Sequence, residues 1–355
     1  MKKNYAIVFE LIEKLYRSNY LKQEEIIYLL DNMNDEDKEL LKRRAHETRV
    51  KFYGHKVFMR GLLEFTNYCT GTCSYCGISS LNTKVERYRL KLDKILECIK
   101  LGYNLGYRTF VLQGGEDPYY TRSRIEEIIT AIKIKYPEVA ITLSIGERSY
   151  EDYSAFYKCG ADRYLLRHEM ASRRLYNKLH SNMSFDNRRK CLYDLRKIGY
   201  QVGAGFMVGL PGQTSEDLAE DFIFLKELEP HMVGIGPFIP HKDTKLGRER
   251  GGTVKDTVTM LALTRLFLPE VLLPATTALG TLDPLGREKG LKAGANVVMP
   301  NLSPISVRKK YSLYDGKVCT GDEAAECRRC IEQRINSAGF NVDMSRGDNI
   351  NWRRI

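Results

Sequence analysis

Residues 91–116 read KLDKILECIKLGYNLGYRTFVLQGGE and contain one complete helix-to-strand unit. Apolar residues recur at helical spacing over Lys91–Leu105, which predicts an amphipathic helix. Gly106 follows this stretch, as is typical of a helix C-cap that leads into the next strand. The short apolar run Thr109–Leu112 then predicts a buried strand, and a Gly-Gly pair ends it in a turn. A chain built from many such units forms a parallel sheet covered by helices.

The same alternation extends over most of the chain. Helical stretches such as Arg122–Lys135 separate most of the short apolar runs. Eight strand–helix alternations over about 245 residues predict an α/β fold, a (βα)8 TIM-type barrel. A doubly wound open sheet is the alternative, although the first strand lacks the Gly-x-Gly-x-x-Gly turn of that fold. The candidate strands are Val57–Phe65, Thr109–Leu112, Val139–Ile145, Tyr164–Leu166, Val202–Val208, Val233–Ile239, Val271–Ala275 and Asn296–Met299.

Three regions are expected from these patterns. Residues 1–55 have helical spacing and form an N-terminal helical extension. Residues 56–310 form the barrel, and residues 311–355 form a C-terminal segment with a second cysteine cluster. No run of about eighteen apolar residues occurs, so we expect no membrane span. The N-terminus lacks the features of a signal peptide, and we expect a cytoplasmic protein with reduced thiols.

Composition limits the class of function. The chain has 355 residues, and 43% of them are hydrophobic, which excludes a disordered chain. The formal net charge of +11 first suggests a nucleic acid or another anionic partner. However, basic runs such as Lys42-Arg43-Arg44 are short and scattered, without the stripe that nucleic-acid binding requires. A nucleic-acid-binding protein with a structural metal therefore stays as a second class of function.

Three of the nine cysteines form the motif C-x3-C-x2-C, with Cys69, Cys73 and Cys76. The motif follows the first predicted strand, where the loops of a barrel carry the chemistry. A structural zinc site usually has four protein ligands, whereas no histidine lies near these three thiols. A 4Fe-4S cluster with three cysteine ligands keeps one iron open for a small molecule. Zinc and a redox disulfide are the alternatives.

The cysteine loop, Cys69-Thr-Gly-Thr-Cys73-Ser-Tyr75-Cys76, resembles the signature of the radical S-adenosylmethionine (SAM) superfamily. Further segments extend the resemblance over nearly the whole chain. They make it specific for the HydE family, the radical SAM maturases of FeFe-hydrogenase, which is related to biotin synthase and methylornithine synthase. These segments are Gln113–Tyr119, Leu165–Glu169, Gly203–Thr214, Gly234–His241 and Pro274–Ala278.

The resemblance implies an oxygen-sensitive enzyme in which the open iron of a 4Fe-4S cluster binds SAM. One electron from the cluster then cleaves SAM and yields a 5′-deoxyadenosyl radical. By the same resemblance, Glu169 contacts the ribose hydroxyls or ammonium of SAM, and Arg188 contacts its carboxylate. Gly114 stands where the family often has serine, so a hydroxyl contact is not expected there. The implied SAM-binding residues are Tyr75, Gln113, Gly114, Gly115, Glu116, Ser144, Glu169, Arg188, Met207, Ile239 and Tyr311.

A second implied group lines the barrel interior and would bind the substrate. Two arginines and three hydroxyl groups would form an anion-binding pocket, because a buried arginine needs an anionic partner. A structural salt bridge with Asp162 or Glu169 is the alternative for either arginine. For Arg188, the alternative is a solvated position on a basic helix face. The members of the group are Thr142, Arg163, Arg167, Thr276, Thr277, Met299 and Tyr311.

A second cysteine motif, C-x7-C-x2-C, is formed by Cys319, Cys327 and Cys330. It matches the accessory motif of some family members and implies an accessory Fe–S cluster that activity need not require. An adventitious metal or a disulfide formed after cluster loss is the alternative. The remaining cysteines lie singly in helical contexts and are expected to be small buried side chains: Cys98, Cys159 and Cys191.

The preferred function is a step in the assembly of the diiron site of FeFe-hydrogenase. The resemblance implies a small sulfur-containing or cysteine-bound iron substrate. It also implies an electron donor such as a ferredoxin or flavodoxin, and the maturases HydF and HydG as partners. Neither a nucleic acid nor a membrane is expected as a partner. A radical SAM mutase or synthase with an amino-acid-derived substrate, similar to methylornithine synthase or biotin synthase, is the alternative.

Overall fold

The computed structural model describes residues 2–318 and 328–354. Within these ranges, helices and strands alternate as the sequence predicts. The helices are α1 (Lys2–Ser18), α2 (Gln23–Asn32), α3 (Asp35–Tyr53), α4 (Leu92–Asn104), α5 (Arg122–Lys135), α6 (Tyr150–Cys159), α7 (Arg173–Leu179), α8 (Phe185–Ile198), α9 (Ser215–Leu228), α10 (Val254–Phe267), α11 (Thr277–Leu282), α12 (Gly286–Lys292), α13 (Ile305–Arg308) and α14 (Arg328–Ser337). The strands are β1 (Lys56–Met59), β2 (Gly61–Thr66), β3 (Thr109–Gly114), β4 (Ala140–Ser144), β5 (Ala161–Leu165), β6 (Gln201–Ala204), β7 (Met207–Val208), β8 (Met232–Val233), β9 (Gly236–Pro237), β10 (Val297–Val298) and β11 (Asn341–Asp343).

The central sheet is parallel and contains six strands in the order β2-β3-β4-β5-β6-β8. This order follows the chain without reversal, whereas a doubly wound sheet reverses its order at a switch point. Three isolated parallel bridges continue the pairing from β8 back to β2: Met232 with Leu272, Pro274 with Val297, and Leu62 with Asn301. The TIM-type α/β architecture predicted from the sequence is therefore confirmed.

Some predicted strands are shorter or divided in the structure. The run Val57–Phe65 becomes β1 and β2, which separate at Arg60 and belong to different sheets. The run Val271–Ala275 takes part in the sheet through isolated bridges. Nearly all of β1 and the whole of β2 are buried, so their hydrophobicity gives no sign of where the chain changes its neighbour.

The N-terminal helices share one hydrophobic core with the barrel. Helix α3 begins after Asn34, whose Oδ1 accepts the N–H of Asp37 at 3.0 Å, as in a capping box. Arg49 of α3 is fully buried. Its guanidinium donates to three main-chain carbonyl oxygens at or just before the starts of β1 and β10, at 2.6–3.0 Å. They are the carbonyl oxygens of Gly54, Lys56 and Ala295. These bonds fix the helical extension against the barrel.

The C-terminal residues cover the end of the barrel where the strands begin. Strand β11 pairs with β1 in parallel. Further along, Asn349 N donates to Gln201 at the start of β6 at 2.8 Å, and Arg354 pairs with Asp162 of β5 at 3.0 Å. The C-terminal residues named above therefore do not cover the opposite end of the barrel, where the strands finish and where the sequence predicts the site. In the part of the chain that the structure describes, no helix combines the length and apolar character needed to cross a membrane.

Candidate active site

A cavity of about 350 Å³ lies among the loops that follow the barrel strands. Parallel strands of a barrel finish at the same end, so loops distant in sequence meet there. Among the predicted SAM- and substrate-binding residues, Thr142 and Arg163 are the two that do not line this cavity. The other predicted residues do: Cys69, Cys73, Tyr75, Cys76, Gln113, Gly114, Gly115, Glu116, Ser144, Arg167, Glu169, Arg188, Met207, Ile239, Thr276, Thr277, Met299 and Tyr311.

The three thiols of the cysteine loop face this cavity and carry no disulfide bonds. The N–H groups of Gly71 and Glu116 donate to Cys69 Sγ at 3.3 and 3.4 Å, and such bonds tune Fe–S clusters. Burial raises the pKa of Cys76 to about 12, and burial with the neighbouring thiolates raises that of Cys73 well above its ordinary value. Bound iron reverses this effect, because a cation stabilises the thiolate form. This soft donor set fits an Fe–S cluster.

The zinc alternative requires a compact group of ligands around one ion. Across residues 2–318 and 328–354, no three His, Cys, Asp or Glu side chains have that arrangement. The cysteine loop presents its three thiols along a shared cavity wall, next to the glycine turn that follows β3.

The segment Leu179–Met183, which we call the anchor segment, holds the cysteine loop in place. Ser74 N donates to the carbonyl oxygen of Leu179, the first residue of the anchor segment, at 3.0 Å. Cys73 forms an isolated antiparallel bridge with His180. In addition, Met183 Sδ lies 3.8 Å from Cys73 Sγ. The position of the second cysteine thus depends on a segment more than a hundred residues away in the sequence.

Tyr75, between the second and third cysteines, has a fixed position on the cavity wall. Its hydroxyl lies 2.8 Å from Nε2 of His180, whose Nδ1 lies 3.1 Å from the carbonyl oxygen of Tyr176. A carbonyl oxygen accepts and cannot donate, so Nδ1 carries the proton and Nε2 accepts from the tyrosine. Burial lowers the pKa of His180 to about 4, which keeps the ring neutral near pH 7.

The glycine turn after β3 lets three loops approach closely. A Cβ atom on Gly115 would lie 2.2 Å from the carbonyl oxygen of Tyr68, so a side chain there would displace the cysteine loop. Gly146, after β4, has a φ of +75°, and its Cβ would lie 2.0 Å from Cγ of Glu116. Thr70 N also donates to the carbonyl oxygen of Glu116 at 3.0 Å. The two glycines thus allow the cysteine loop and the loops after β3 and β4 to pack directly against one another.

Charged residues of the cavity wall occur in pairs. Arg167 donates to both carboxylate oxygens of Glu169, at 2.8 and 3.3 Å. Glu169 has a φ of +67°, which residues other than glycine rarely adopt and which concentrates at functional sites. Arg188 of α8 is buried and donates to Glu147 at 2.6 Å and to the carbonyl oxygen of Arg167 at 2.8 Å. Arg188 is therefore not a solvated residue of a basic helix face.

The structure places Arg163 at the base of the barrel, away from the cavity. Its side chain is fully buried and Thr142 is its partner on the adjacent strand. The salt-bridge alternative holds for Arg163, but its carboxylate is neither Asp162 nor Glu169. The guanidinium donates to Thr109 Oγ1 at 3.1 Å and, at 2.6 Å each, to the Arg346 carbonyl oxygen and Asp348 Oδ1. Arg163 is thus bound by other parts of the fold, whereas the buried Oγ1 of Thr142 has no hydrogen-bond partner among the described residues, and a substrate contact there stays a prediction.

The predicted site residues omit many members of the cavity wall, among them Glu64, His180, Met183 and Lys317. Lys317 Nζ donates to Glu64 at 2.5 Å and to the carbonyl oxygen of Tyr311 at 2.8 Å. Glu64 was visible in the sequence as the one acidic residue inside the apolar run Val57–Phe65. No sequence pattern marks Lys317 as a cavity residue, because its position depends on the path of the chain after β10.

The single cysteines lie in helices α4, α6 and α8, as expected. Cys98 and Cys191 are buried, and Cys159 is half-buried. Of the accessory motif, Cys319 and Cys327 lie outside the described residues, and Cys330 lies in α14.

The fold and the cavity together define a radical SAM protein. The Radical SAM superfamily profile matches residues 63–225, which include the cysteine loop and the glycine turn. Two solved structures share the fold. Methylornithine synthase (PylB) has a TM-score of 0.82 and 26% identity, and the match covers 94% of this chain and 97% of that one. HydG, a maturase of the FeFe-hydrogenase, has a TM-score of 0.82 and 18% identity, with 96% and 76% covered.

Sequence similarity identifies the family within that class. The chain is 46% identical over 331 residues to the FeFe-hydrogenase maturase subunit HydE of Thermotoga maritima, across 93% of this chain and 94% of that protein. The 3-methylornithine synthase of Methanosarcina acetivorans is 28% identical over 305 residues, with 85% and 86% covered. The chain belongs to the HydE family of radical SAM enzymes, which confirms the resemblance found in the sequence.

Proposed function

We propose that the protein cleaves SAM reductively and acts on a small sulfur-containing or cysteine-bound iron substrate during assembly of the FeFe-hydrogenase diiron site. One observation carries this proposal: three thiols, the glycine turn and the paired charges converge on one cavity, in a chain of the HydE family. When bound, the 4Fe-4S cluster and SAM supply a 5′-deoxyadenosyl radical. The residues of the chain bind and orient the reacting molecules and exclude water.

The SAM-binding residues occupy the side of the cavity next to the cysteine loop. Gly115 lets the cysteine loop pack directly against the glycine turn, and Tyr75 presents its ring from a fixed position. Arg188 and Glu169 offer a guanidinium and a carboxylate, which suit the carboxylate and the ammonium or ribose hydroxyls of SAM. Burial raises the pKa of Glu116, the carboxyl group that accepts the N–H of Glu147 at 3.0 Å.

The remaining wall of the cavity fits a small polar substrate. Thr276 Oγ1 is buried and has no hydrogen-bond partner among the described residues. A buried hydroxyl without a partner is costly, so a ligand atom that bonds to it would be stabilised. Thr277, Met299 and Tyr311 line the same cavity, as does Arg167, a cation of the predicted substrate group.

Anaerobic reconstitution tests the SAM-cleaving activity. Protein loaded with iron and sulfide should form 5′-deoxyadenosine from SAM and dithionite. We expect the variants Cys69→Ala, Cys73→Ala and Cys76→Ala to lose cluster binding and cleavage, because three thiolates are needed to hold the cluster. Cys98→Ala is the matched control, since this buried cysteine of α4 does not line the cavity. Cleavage retained by all three variants would refute the proposal.

Complementation tests the role in hydrogenase assembly. In a host that lacks its own HydE, the chain should restore FeFe-hydrogenase activity under anaerobic conditions. The alternative, a mutase of amino-acid-derived substrates, rests on the 28% identity to 3-methylornithine synthase. Formation of 3-methylornithine without hydrogenase rescue would favour that alternative.

An accessory Fe–S cluster on Cys319, Cys327 and Cys330 is a further part of the proposal. It rests on the soft thiol ligands and their spacing. The triple Ala variant should contain fewer iron atoms per chain than the parent protein and still cleave SAM. An unchanged iron content would exclude the accessory cluster. HydF and HydG as partners, and a low-potential electron donor, complete the proposed context.

A further inference from the structure

Three surface segments surround the cysteine loop, and we call them together the basic rim. They are residues 77–87, 172–183 and 241–251. Each contacts the loop through the main chain: Ser80 N donates to the Gly71 carbonyl oxygen at 2.9 Å, Ser74 N to the Leu179 carbonyl oxygen at 3.0 Å, and Leu246 N to the Ser74 carbonyl oxygen at 3.3 Å. An ion pair between Lys84 and Asp243, at 2.7 Å, joins the first segment to the third.

The basic rim carries an unusual share of the positive charge. It contains nine Lys and Arg against three acidic residues. Its 34 residues, about a tenth of the chain, therefore hold six of the eleven net charges. Arg87 turns inward to main-chain carbonyl oxygens. The other eight basic side chains are exposed: Lys84, Arg173, Arg174, Lys178, Lys242, Lys245, Arg248 and Arg250.

Some of this charge has partners, and much of it does not. Arg173 pairs with Asp186, and Arg174 pairs with Asp217. For the five remaining cations of the second and third segments, the described residues show no side-chain ion pair: Lys178, Lys242, Lys245, Arg248 and Arg250. The rim therefore presents a positive field to solvent next to the cysteine loop, where it steers an anionic partner.

The rim also provides a short path from solvent to a cluster ligand. Ser181 and Asn182 of the anchor segment are exposed, and Asn182 N donates to Thr72 Oγ1 at 3.2 Å. The next residue, Met183, places its sulfur 3.8 Å from Cys73 Sγ. Leu81 of the first segment adds an apolar side chain with 51% of its surface exposed.

We propose that the basic rim is the docking surface for a small acidic redox protein that reduces the cluster. This proposal rests on the proposed function, because reductive cleavage consumes one electron per SAM. In the step, one electron passes from the reduced iron–sulfur or flavin centre of the partner to the cluster, and no covalent bond forms or breaks. Charge complementarity favours an acidic partner and increases its rate of association.

Charge reversal tests the proposal. In the double variant Lys178→Glu/Lys245→Glu, formation of 5′-deoxyadenosine is measured with a reduced acidic ferredoxin and, separately, with dithionite. We expect the apparent KM for the ferredoxin to rise about tenfold at low salt and its salt dependence to become weaker. The rate with dithionite should stay within about twofold, because this small reductant needs no docking surface.

The matched control is Lys100→Glu/Lys292→Glu, which makes the same change in net charge at exposed positions of α4 and α12. It should leave the KM for the ferredoxin unchanged. An equal KM in the rim variant and the parent, or an equal increase in the control, would overturn the proposal. So would a rim variant that loses binding of a single-stranded oligonucleotide but keeps its KM for the ferredoxin. Absence of cleavage by the parent protein with dithionite would instead refute the proposed function.

Discussion

One strand, β5, supplies arginines to both ends of the barrel, and the two have different surroundings. Arg163 lies within the strand at the base, with 0% of its side chain exposed, and its carboxylate partner Asp348 comes from the C-terminal tail. Arg167 lies beyond the end of the strand, with 30% of its side chain exposed towards the cavity, and it pairs with Glu169. Arg163 thus forms a buried ion pair at the base of the barrel, whereas Arg167 lines the cavity at the other end.

The difference shows how a barrel separates stability from chemistry. At the base, the Arg163 guanidinium donates to Thr109 and, in the C-terminal tail, to the Arg346 carbonyl oxygen and the Asp348 carboxylate. At the cavity, each cation of the wall has a neighbouring carboxylate, as in the pairs Arg167–Glu169 and Lys317–Glu64. A ligand can exchange with such a pair without uncovering an unpaired charge, which would be costly.

The largest expected effect is at the base. Asp348→Ala removes the carboxylate of Arg163 and leaves a buried cation, so the free energy of unfolding should fall by about 3–5 kcal/mol. Denaturant titration under anaerobic conditions measures this change. Glu97→Ala is the control, because its exposed pair with Lys94 should contribute less than about 1 kcal/mol. A loss at Asp348 as small as that of the control would contradict the structural role assigned to the base.

The second prediction concerns the cavity. Arg167→Ala should reduce substrate-dependent turnover about 100-fold, because a charged hydrogen bond to the substrate is lost. Slow SAM cleavage without substrate and the melting temperature should change little. Arg122→Ala, at an exposed ion pair with Asp152, is the control and should preserve both activities. If Arg167→Ala reduced both reactions equally, Arg167 would belong to the SAM site.

A smaller effect should depend on pH. Burial alone would raise the pKa of Asp348, but Arg163 and Arg346 hold it below its ordinary value. The unfolded state then binds the proton more readily, so the pair stabilises the fold above about pH 4 and loses this effect as the pH falls further. Stability curves between pH 6 and pH 3 should therefore be less steep for Asp348→Asn than for the parent. Parallel curves would show that this carboxylate does not titrate with folding.

The smallest expected effect is at Tyr75. Tyr75→Phe removes the hydrogen bond to His180 and loosens the ring, so the Kd for SAM should rise about three- to tenfold. The SAM-dependent change in the electron paramagnetic resonance spectrum of the reduced cluster reports binding directly. Tyr103→Phe, which removes a surface hydroxyl bonded to Glu138, is the control. An unchanged Kd would mean that the anchor segment does not position this residue for SAM.

Local patterns were sufficient for the elements and for much of the site. The helix Lys91–Leu105 and the strand after it follow from apolar spacing and a glycine cap, and both are present. The cysteines and the glycine turn, both of which stand out as sequence motifs, line one cavity. The division of Val57–Phe65 at Arg60 was not predictable, because a run that is buried throughout does not show which strand each half contacts.

Sequence by itself determined the barrel, the radical SAM class and about half of the cavity wall, since these depend on short motifs at the ends of successive strands. Tertiary structure alone decided which arginine faces the cavity. Arg163 and Arg167 look alike in the sequence, and the tail that carries Asp348 lies 185 positions after Arg163. Burial and charge pairing depend on such distant segments, which spacing along the chain cannot reveal. The anchor segment, with His180 and Met183, was undetected for the same reason.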